Sequence, residues 1–163
     1  MENEEIVFHP IGTIQSPFRE LAGMPIQPRA AEGVKGKVIL DPQLEDGLKG
    51  LEGFSHLILV YYFHQAKAPE LLVKPFLDEV KHGVFATRAP RRPNGIGISV
   101  VKLLKIEGNI LEVENLDVLD GTPLLDIKPY VPDFEGADEV RIGWLEKSRG
   151  KIKGKISDDR FLK

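Results

Sequence analysis

Three arginines crowd one short stretch, GVFATRAPRRPNGIGIS over residues 83–99: Arg88, Arg91 and Arg92. An apolar run, Val84, Phe85 and Ala86, precedes them and reads as the end of a buried strand. The turn signal Pro93-Asn94-Gly95 follows, and a second apolar run starts at Ile96. Proline fixes φ while Asn and Gly tolerate the left-handed region, so these letters predict a tight loop. A rigid loop that gathers three guanidiniums is suited to hold an anion or a polar ligand. A solvated hairpin tip with surface arginines is the bland alternative. The second stretch with chemistry in it is LDVLDGTPLLDIKPYVP, residues 116–132. In an extended segment Asp126, Lys128 and Tyr130 share one face. An acid, an amine and a phenol so arranged could position a substrate and manage a proton. An ordinary ion pair on an exposed strand is the commoner use of such a pattern.

The elements that must position these groups are mostly strands. Residues 53–63, GFSHLILVYYF, are nearly continuous in apolar character, as in a strand buried on both faces, and His64-Gln65 stands at its end. Residues 96–106 read as a long strand, Gly108-Asn109 as a hairpin turn, residues 110–118 as the return strand and residues 123–130 as extended. Residues 6–8, 11–14 and 36–40 also have strand character, and residues 44–51 a short helical pattern. Residues 21–32 hold Gly23, Pro25 and Pro28 and read as a long ordered loop, a common setting for binding. Many short strands between Gly, Pro and Asx turns predict a mainly all-β chain, an antiparallel sandwich or barrel. We expect a domain over residues 1–140 and a basic tail over residues 141–163, packed on it or extending from it.

Composition narrows the function classes. The 163 residues hold 42% apolar types, enough for one self-sufficient core, and the net charge of -3 gives no global basic field. A polyanionic partner would therefore meet a local patch, and the tail from Arg141 onward is the one basic segment. There is no cysteine, which removes disulfides, thiolate metal sites and a cysteine nucleophile. His9, His56, His64 and His82 show no helical metal-pair spacing, and no metal is expected. His56, inside the apolar run, reads as a hydrogen-bonded core histidine. No Walker loop, GxSxG, HExxH or strand-borne GxGxxG is present. The acidic N-terminus has no signal-peptide pattern and no apolar run reaches membrane-span length, so a soluble, cytoplasmic protein is expected.

Taken together, GVFATR-x-P-x-RPN-x-IG-x-S and, about twenty residues on, LD-x-LDGTP-x-x-DIKPY-x-P resemble the TsaA-like (TrmO) family of tRNA methyltransferases. Ile11-Gly12, Ser16-Pro17, Gln27-Pro28, GLEGFSHL from Gly50 and Phe63-His64-Gln65 agree with that resemblance. It implies a small antiparallel β-barrel with short helices and long loops, a homodimer, and S-adenosylmethionine as methyl donor bound near the subunit interface. It implies methyl transfer to N6 of threonylcarbamoyladenosine at tRNA position 37. It places donor contacts on Pro28, Arg29 and Ala30, on His64 and Gln65, on Arg88 and Ile98, and on Glu114, Asn115, Leu116 and Asp117. Removal of the acceptor proton is expected to involve Asp126 or Tyr130, with Lys128 stabilising charge. The sequence departs from the family pattern at Gly95, where a second proline is usual, and at Arg29, where glycine is frequent. A different acceptor, or a donor-binding module without catalysis, are the competing readings.

Overall fold

Apolar side chains at alternate positions turn inward along six strands of the computed structural model, which describes residues 3–25 and 31–148. The strands in chain order are β1 (Gly12–Gln15), β2 (Lys35–Leu40), β3 (His56–Tyr62), the two-residue β4 (Leu72–Val73) and β5 (His82–Gly83), β6 (Ile96–Glu107), β7 (Ile110–Glu114) and β8 (Thr122–Pro129). All but β4 and β5 close into one barrel in the order β1-β2-β7-β6-β3-β8, with every neighbouring pair antiparallel. Closure leaves no unpaired edge among the six barrel strands. Ile14, Val38, Leu57, Leu59, Val101, Leu111, Val113 and Leu124 are fully buried inside it. The mainly all-β barrel expected from the sequence is the fold observed.

Local departures from the sequence reading have local causes. The run Val84, Phe85 and Ala86 is a 3-10 turn, not a strand end. Val84 packs with Val73, Ala89 and Phe76 in a second small core, while Phe85 is 74% exposed. The Thr87 hydroxyl closes the turn by donating to the Val84 carbonyl at 2.8 Å. Residues 44–51 fall in two 3-10 segments, Pro42–Leu48 and Leu51–Gly53, and residues 6–8 belong to no strand. The return strand β7 stops at Glu114 because Asn115 adopts a φ of 65°. Its side-chain oxygen accepts from the Gly33 amide at 2.9 Å, which helps hold this left-handed residue in place. The strand's alternation is thereby reset. Leu116 enters the barrel core and Asp117 turns elsewhere.

Beyond β8 come a four-residue helix, α1 (Pro132–Glu135), and a 3-10 segment, Gly143–Ser148, that docks back on the barrel's flanking loops. Among the described residues no helix is long and apolar enough to cross a membrane.

Candidate functional site

At one end of the barrel a cavity of about 770 Å³ opens between the rim and the loops outside it. The rim supplies Tyr61 from the end of β3 and Phe63 just beyond it, Gly97 and Ile98 from the start of β6, and Asp117 to Leu119. The outer wall comes from Leu21 and Met24, from residues around 75–92, and from Trp144 and Leu145. The lining is largely apolar with few polar groups, the usual make-up of a small-molecule site.

Two of those polar groups, Tyr61 and Asp117, are joined through Ser99. The Ser99 hydroxyl donates to Asp117 Oδ1 at 2.6 Å, and Ser99 Oγ lies 2.8 Å from the Tyr61 hydroxyl. The register of β3 with β6 sets this up, since Leu59 pairs with Ser99 and Tyr61 with Gly97. Gly97 has no side chain where the Tyr61 ring lies, so the ring can cross above it. Burial pushes the Asp117 carboxyl up to about 7, against the opposing pull of the Ser99 hydroxyl, its own backbone amide and the Arg88 charge. Burial, reinforced by the Asp117 charge, also holds the Tyr61 phenol well above its ordinary range.

The three arginines divide their work. Arg92 donates to the carbonyls of Val84, Thr87 and Ala89 at 3.1, 2.7 and 3.3 Å, and so folds the loop onto its own guanidinium. Arg91 ties the loop to residues 68–70, through the Ala68 carbonyl at 2.8 Å and Glu70 at 3.1 Å. Arg88 lines the cavity, close enough for its charge to act on both Tyr61 and Asp117. The loop predicted to gather three guanidiniums for a ligand thus uses two of them to build itself.

The outer wall is held by a buried carboxylate. Asp78, whose side chain is 5% exposed, contacts His82 Nε2 at 2.8 Å and Lys147 Nζ at 3.2 Å and accepts the amides of Glu79 and Val80. The His82 ring stacks on Trp144, and the Trp144 indole donates to the Ala86 carbonyl at 2.8 Å. Ser148 donates to the Leu77 carbonyl at 3.0 Å. Contacts with His82, Lys147 and the two amides hold the Asp78 carboxyl well below the usual carboxylate range, His82 contributing most. A depressed folded pKa stabilises the fold above the unfolded value, near ~4, and that contribution is lost as pH falls through the folded value. Asp78→Ala is therefore expected to melt several degrees lower than the parent chain at neutral pH, with the gap closing in acid. Thermal melts followed by circular dichroism across pH check this; a gap that stays constant into acid contradicts it.

The cavity brings together five of the residues singled out from the sequence: His64, Gln65, Arg88, Ile98 and Asp117. Glu114, Asn115 and Leu116 do not line it. Glu114 lies 3.9 Å from Lys102, Asn115 holds Gly33, and Leu116 is core. Pro28, Arg29 and Ala30 lie outside the described residues, as does the tail from residue 149. Asp126, Lys128 and Tyr130 do share a face, but on the outside of the barrel and away from this cavity. Asp126 Oδ2 pairs with Lys128 Nζ at 2.7 Å, and Tyr130 meets the His56 ring edge-on. His56 is half-buried at the start of β3, its Nδ1 2.8 Å from Ser55 Oγ, and is not a core residue. Among the described residues no cluster of three or more His, Asp or Glu could hold a metal. Sequence reasoning missed Tyr61, Ser99 and the Trp144 wall. One signal for the first two was present: Gly97 and Ser99 are small residues at alternating positions of an otherwise bulky strand.

Comparison with known proteins bears on what the cavity holds. Residues 13–136 match the tRNA-methyltransferase O N-terminal domain. A probable S-adenosyl-L-methionine-binding protein of Pyrococcus abyssi is 56% identical over 157 residues, covering 96% of this chain and 85% of its own. The mouse tRNA (adenine(37)-N6)-methyltransferase is 36% identical, over 87% of this chain and 35% of its own. A crystal structure of TrmO superposes with a TM-score of 0.74 at 44% identity, over 86% of this chain and 64% of that one. The chain thus spans most of the archaeal relative, less than two thirds of the solved TrmO chain and about a third of the mouse enzyme.

Proposed function

This chain belongs to the tRNA-methyltransferase O N-terminal-domain family, and on that premise we propose that it transfers a methyl group from S-adenosylmethionine to N6 of an adenine in tRNA. The observation that carries this reading is the convergence of His64, Gln65, Arg88, Ile98 and Asp117 on one cavity. Relatives described as binding S-adenosylmethionine and as methylating adenine 37 of tRNA support it.

The cavity chemistry suits the donor. Phe63, Phe85 and Ile98 offer apolar surface to an adenine ring, and Arg88 offers a guanidinium to the methionine carboxylate. The Asp117 carboxylate offers negative charge to the sulfonium or the amine. Methyl transfer is a displacement at carbon, and holding donor and acceptor in line supplies much of the rate. Apolar walls exclude water that would compete for the methyl group.

The finer acceptor we infer is threonylcarbamoyladenosine at position 37, beside the anticodon. The chain acts as a homodimer in the cytoplasm. Tyr62, Ile96 and Ile98 leave an apolar strip, each between 43 and 48% exposed, on the outer face of β3 and β6, next to the cavity mouth. A second subunit covering that strip fits the resemblance. Pro28, Arg29 and Ala30 are expected to complete the donor site. Asp126, Lys128 and Tyr130, on the outer face, can take part only through the RNA or a partner subunit. The tail beyond residue 148 carries Arg149, Lys151, Lys153, Lys155, Arg160 and Lys163 against Asp158 and Asp159, a composition suited to phosphate contacts.

The test is methyl transfer from isotopically labelled S-adenosylmethionine to tRNA with and without threonylcarbamoyladenosine, read by nucleoside mass. Label on the modified adenosine alone is expected, from a sample whose light-scattering mass is twice the 18.2 kDa of the chain. Label on another nucleoside changes the acceptor. Donor binding without label on any tRNA contradicts the reading.

A further inference from the structure

Methylation of an N–H nitrogen releases a proton, and among the described residues the cavity wall carries one carboxylate, Asp117. We propose that Asp117, positioned by Ser99 and Tyr61, is the proton acceptor for the nucleophilic nitrogen of the tRNA substrate. The inference rests on the methyl-transfer reading above and assigns that reaction a residue that the outer-face trio cannot supply within one chain.

Asp117 is the only Asp or Glu among the described residues lining the cavity. The turn at Asn115 puts it there by sending Leu116 into the core and Asp117 to the rim. Its hydrogen bonds have a direction. Ser99 has a single hydroxyl proton and gives it to Asp117 Oδ1, so the Tyr61 phenol must be the donor in its contact with Ser99. Both hydroxyls therefore point their protons toward the carboxylate. Tyr61 is 6% exposed, and its raised pKa keeps it a donor at any working pH. Ser99 and the Asp117 backbone amide occupy part of the carboxylate's acceptor capacity, about four lone pairs, and leave room for one incoming proton.

The reaction balances on these groups. The nitrogen's bond to hydrogen breaks and the proton passes to the Asp117 carboxylate. The nitrogen pair forms the new bond to the methyl carbon. The pair of the broken carbon–sulfur bond stays on sulfur, turning the sulfonium into a neutral thioether. A carboxylate and a sulfonium thus become a neutral acid and a neutral thioether, so one positive and one negative charge disappear from the cavity together. A carboxyl whose pKa lies at about 7 can accept a proton at neutral pH and release it afterwards. Among the described residues, the charged or titratable groups that act on Asp117 are Tyr61 from β3 and Arg88 from the 83–99 loop, and His64 lines the same cavity. Arg91 and Arg92, also on the wall, are engaged by Glu70 and by loop carbonyls.

The test compares the parent chain with Asp117→Asn and Ser99→Ala in single-turnover transfer to tRNA across pH, with donor affinity measured beside it. The parent rate should climb with pH and level off beyond about pH 7. Asp117→Asn should lose that limb and run roughly 10²–10⁴-fold slower, with donor affinity falling by less than the rate, since the carboxylate's contact with the donor is lost as well. Ser99→Ala removes a hydrogen bond that lowers the Asp117 pKa, so the limb should move to higher pH. The carbon-13 resonance of the Asp117 carboxyl in the unliganded chain should move the same way, and this readout needs no activity. Folding of Asp117→Asn is checked by its melt. A raised folded pKa means the parent loses stability as pH rises from ~4 to about 7, so the Asn variant should melt higher than the parent above that window. If the parent labels tRNA and Asp117→Asn keeps the pH limb, the proposal fails alone. If Asp117→Asn weakens donor binding in step with the rate while Ser99→Ala leaves the limb unmoved, Asp117 is a donor contact and the proposal also fails. If the parent labels no tRNA, the functional reading fails and takes the proposal with it.

Discussion

Arg88→Ala is expected to weaken S-adenosylmethionine binding by about 10- to 100-fold while the chain still folds. The magnitude follows from a charge-assisted hydrogen bond, whose loss costs about 1.5–3 kcal/mol. The fold should survive because the loop around Arg88 is built by its neighbours. Arg92 holds three carbonyls, Arg91 holds residues 68–70, and Thr87 closes the turn at Val84. The same change has a second signature. Arg88 draws down the pKa of both Asp117 and Tyr61, so its removal should carry the Asp117 titration upward. Calorimetric titration of the donor, with melts on the same samples, reads the first effect. Unchanged affinity would mean that Arg88 faces the cavity without touching the donor. Arg92→Ala should behave in the opposite sense, with a lower melt and a looser loop.

Gly97→Ala is expected to damage stability and site together. A methyl group on Gly97 would stand 2.3 Å from Tyr61 Cε2, 2.7 Å from Tyr61 Cζ and 2.8 Å from Phe63 Cζ, distances no real Cβ occupies. Tyr61 cannot simply swing away. Its ring is buried in the barrel core, packs edge-on against Phe63 with centroids 5.6 Å apart, and is tied to Ser99. Overpacking of this kind costs roughly 1–3 kcal/mol, or a melting temperature lowered by roughly 2–12 °C for a chain of this size. The Tyr61–Ser99 contact should break at the same time, so donor affinity and transfer should fall further than the stability loss explains. Adding Tyr61→Leu to Gly97→Ala should recover part of the stability without recovering transfer, as expected for two residues in contact. Melts of the single and double variants check this; a double variant no more stable than the sum of its parts contradicts the steric account.

How far the letters alone reach is visible in these same residues. The barrel was legible because residues 56–62 form a continuous apolar run, residues 110–114 alternate, and Gly, Pro and Asx turns separate the short strands. The two motif stretches and the His64-Gln65 pair after β3 meet in space, since five of the residues expected as donor contacts line one cavity. What the letters hid was decided by backbone detail. One left-handed residue, Asn115, reverses the alternation after β7. It moves Leu116 into the core and Asp117 to the rim, so a simple parity count through residue 117 fails. Asp126, Lys128 and Tyr130 share a face as predicted, but period-2 alternation cannot say which side of a barrel that face is. Val84 was buried by a second small core rather than by a strand, a tertiary effect with no local signature. Asp78 and Lys147, or Tyr61 and Ser99, are far apart in sequence, and nothing in either segment alone announces the contact.

The central claim is that the cavity between the barrel rim, the arginine loop and the Trp144 wall is the donor site. A crystal structure of the chain grown with S-adenosylhomocysteine, the product left by the donor, tests it most directly. The account predicts the ligand inside this cavity, with its carboxylate at Arg88, its adenine against the apolar wall near Ile98, and its sulfur within reach of Asp117. Ligand bound on the outer face beside Asp126 and Lys128, with this cavity empty, would contradict it.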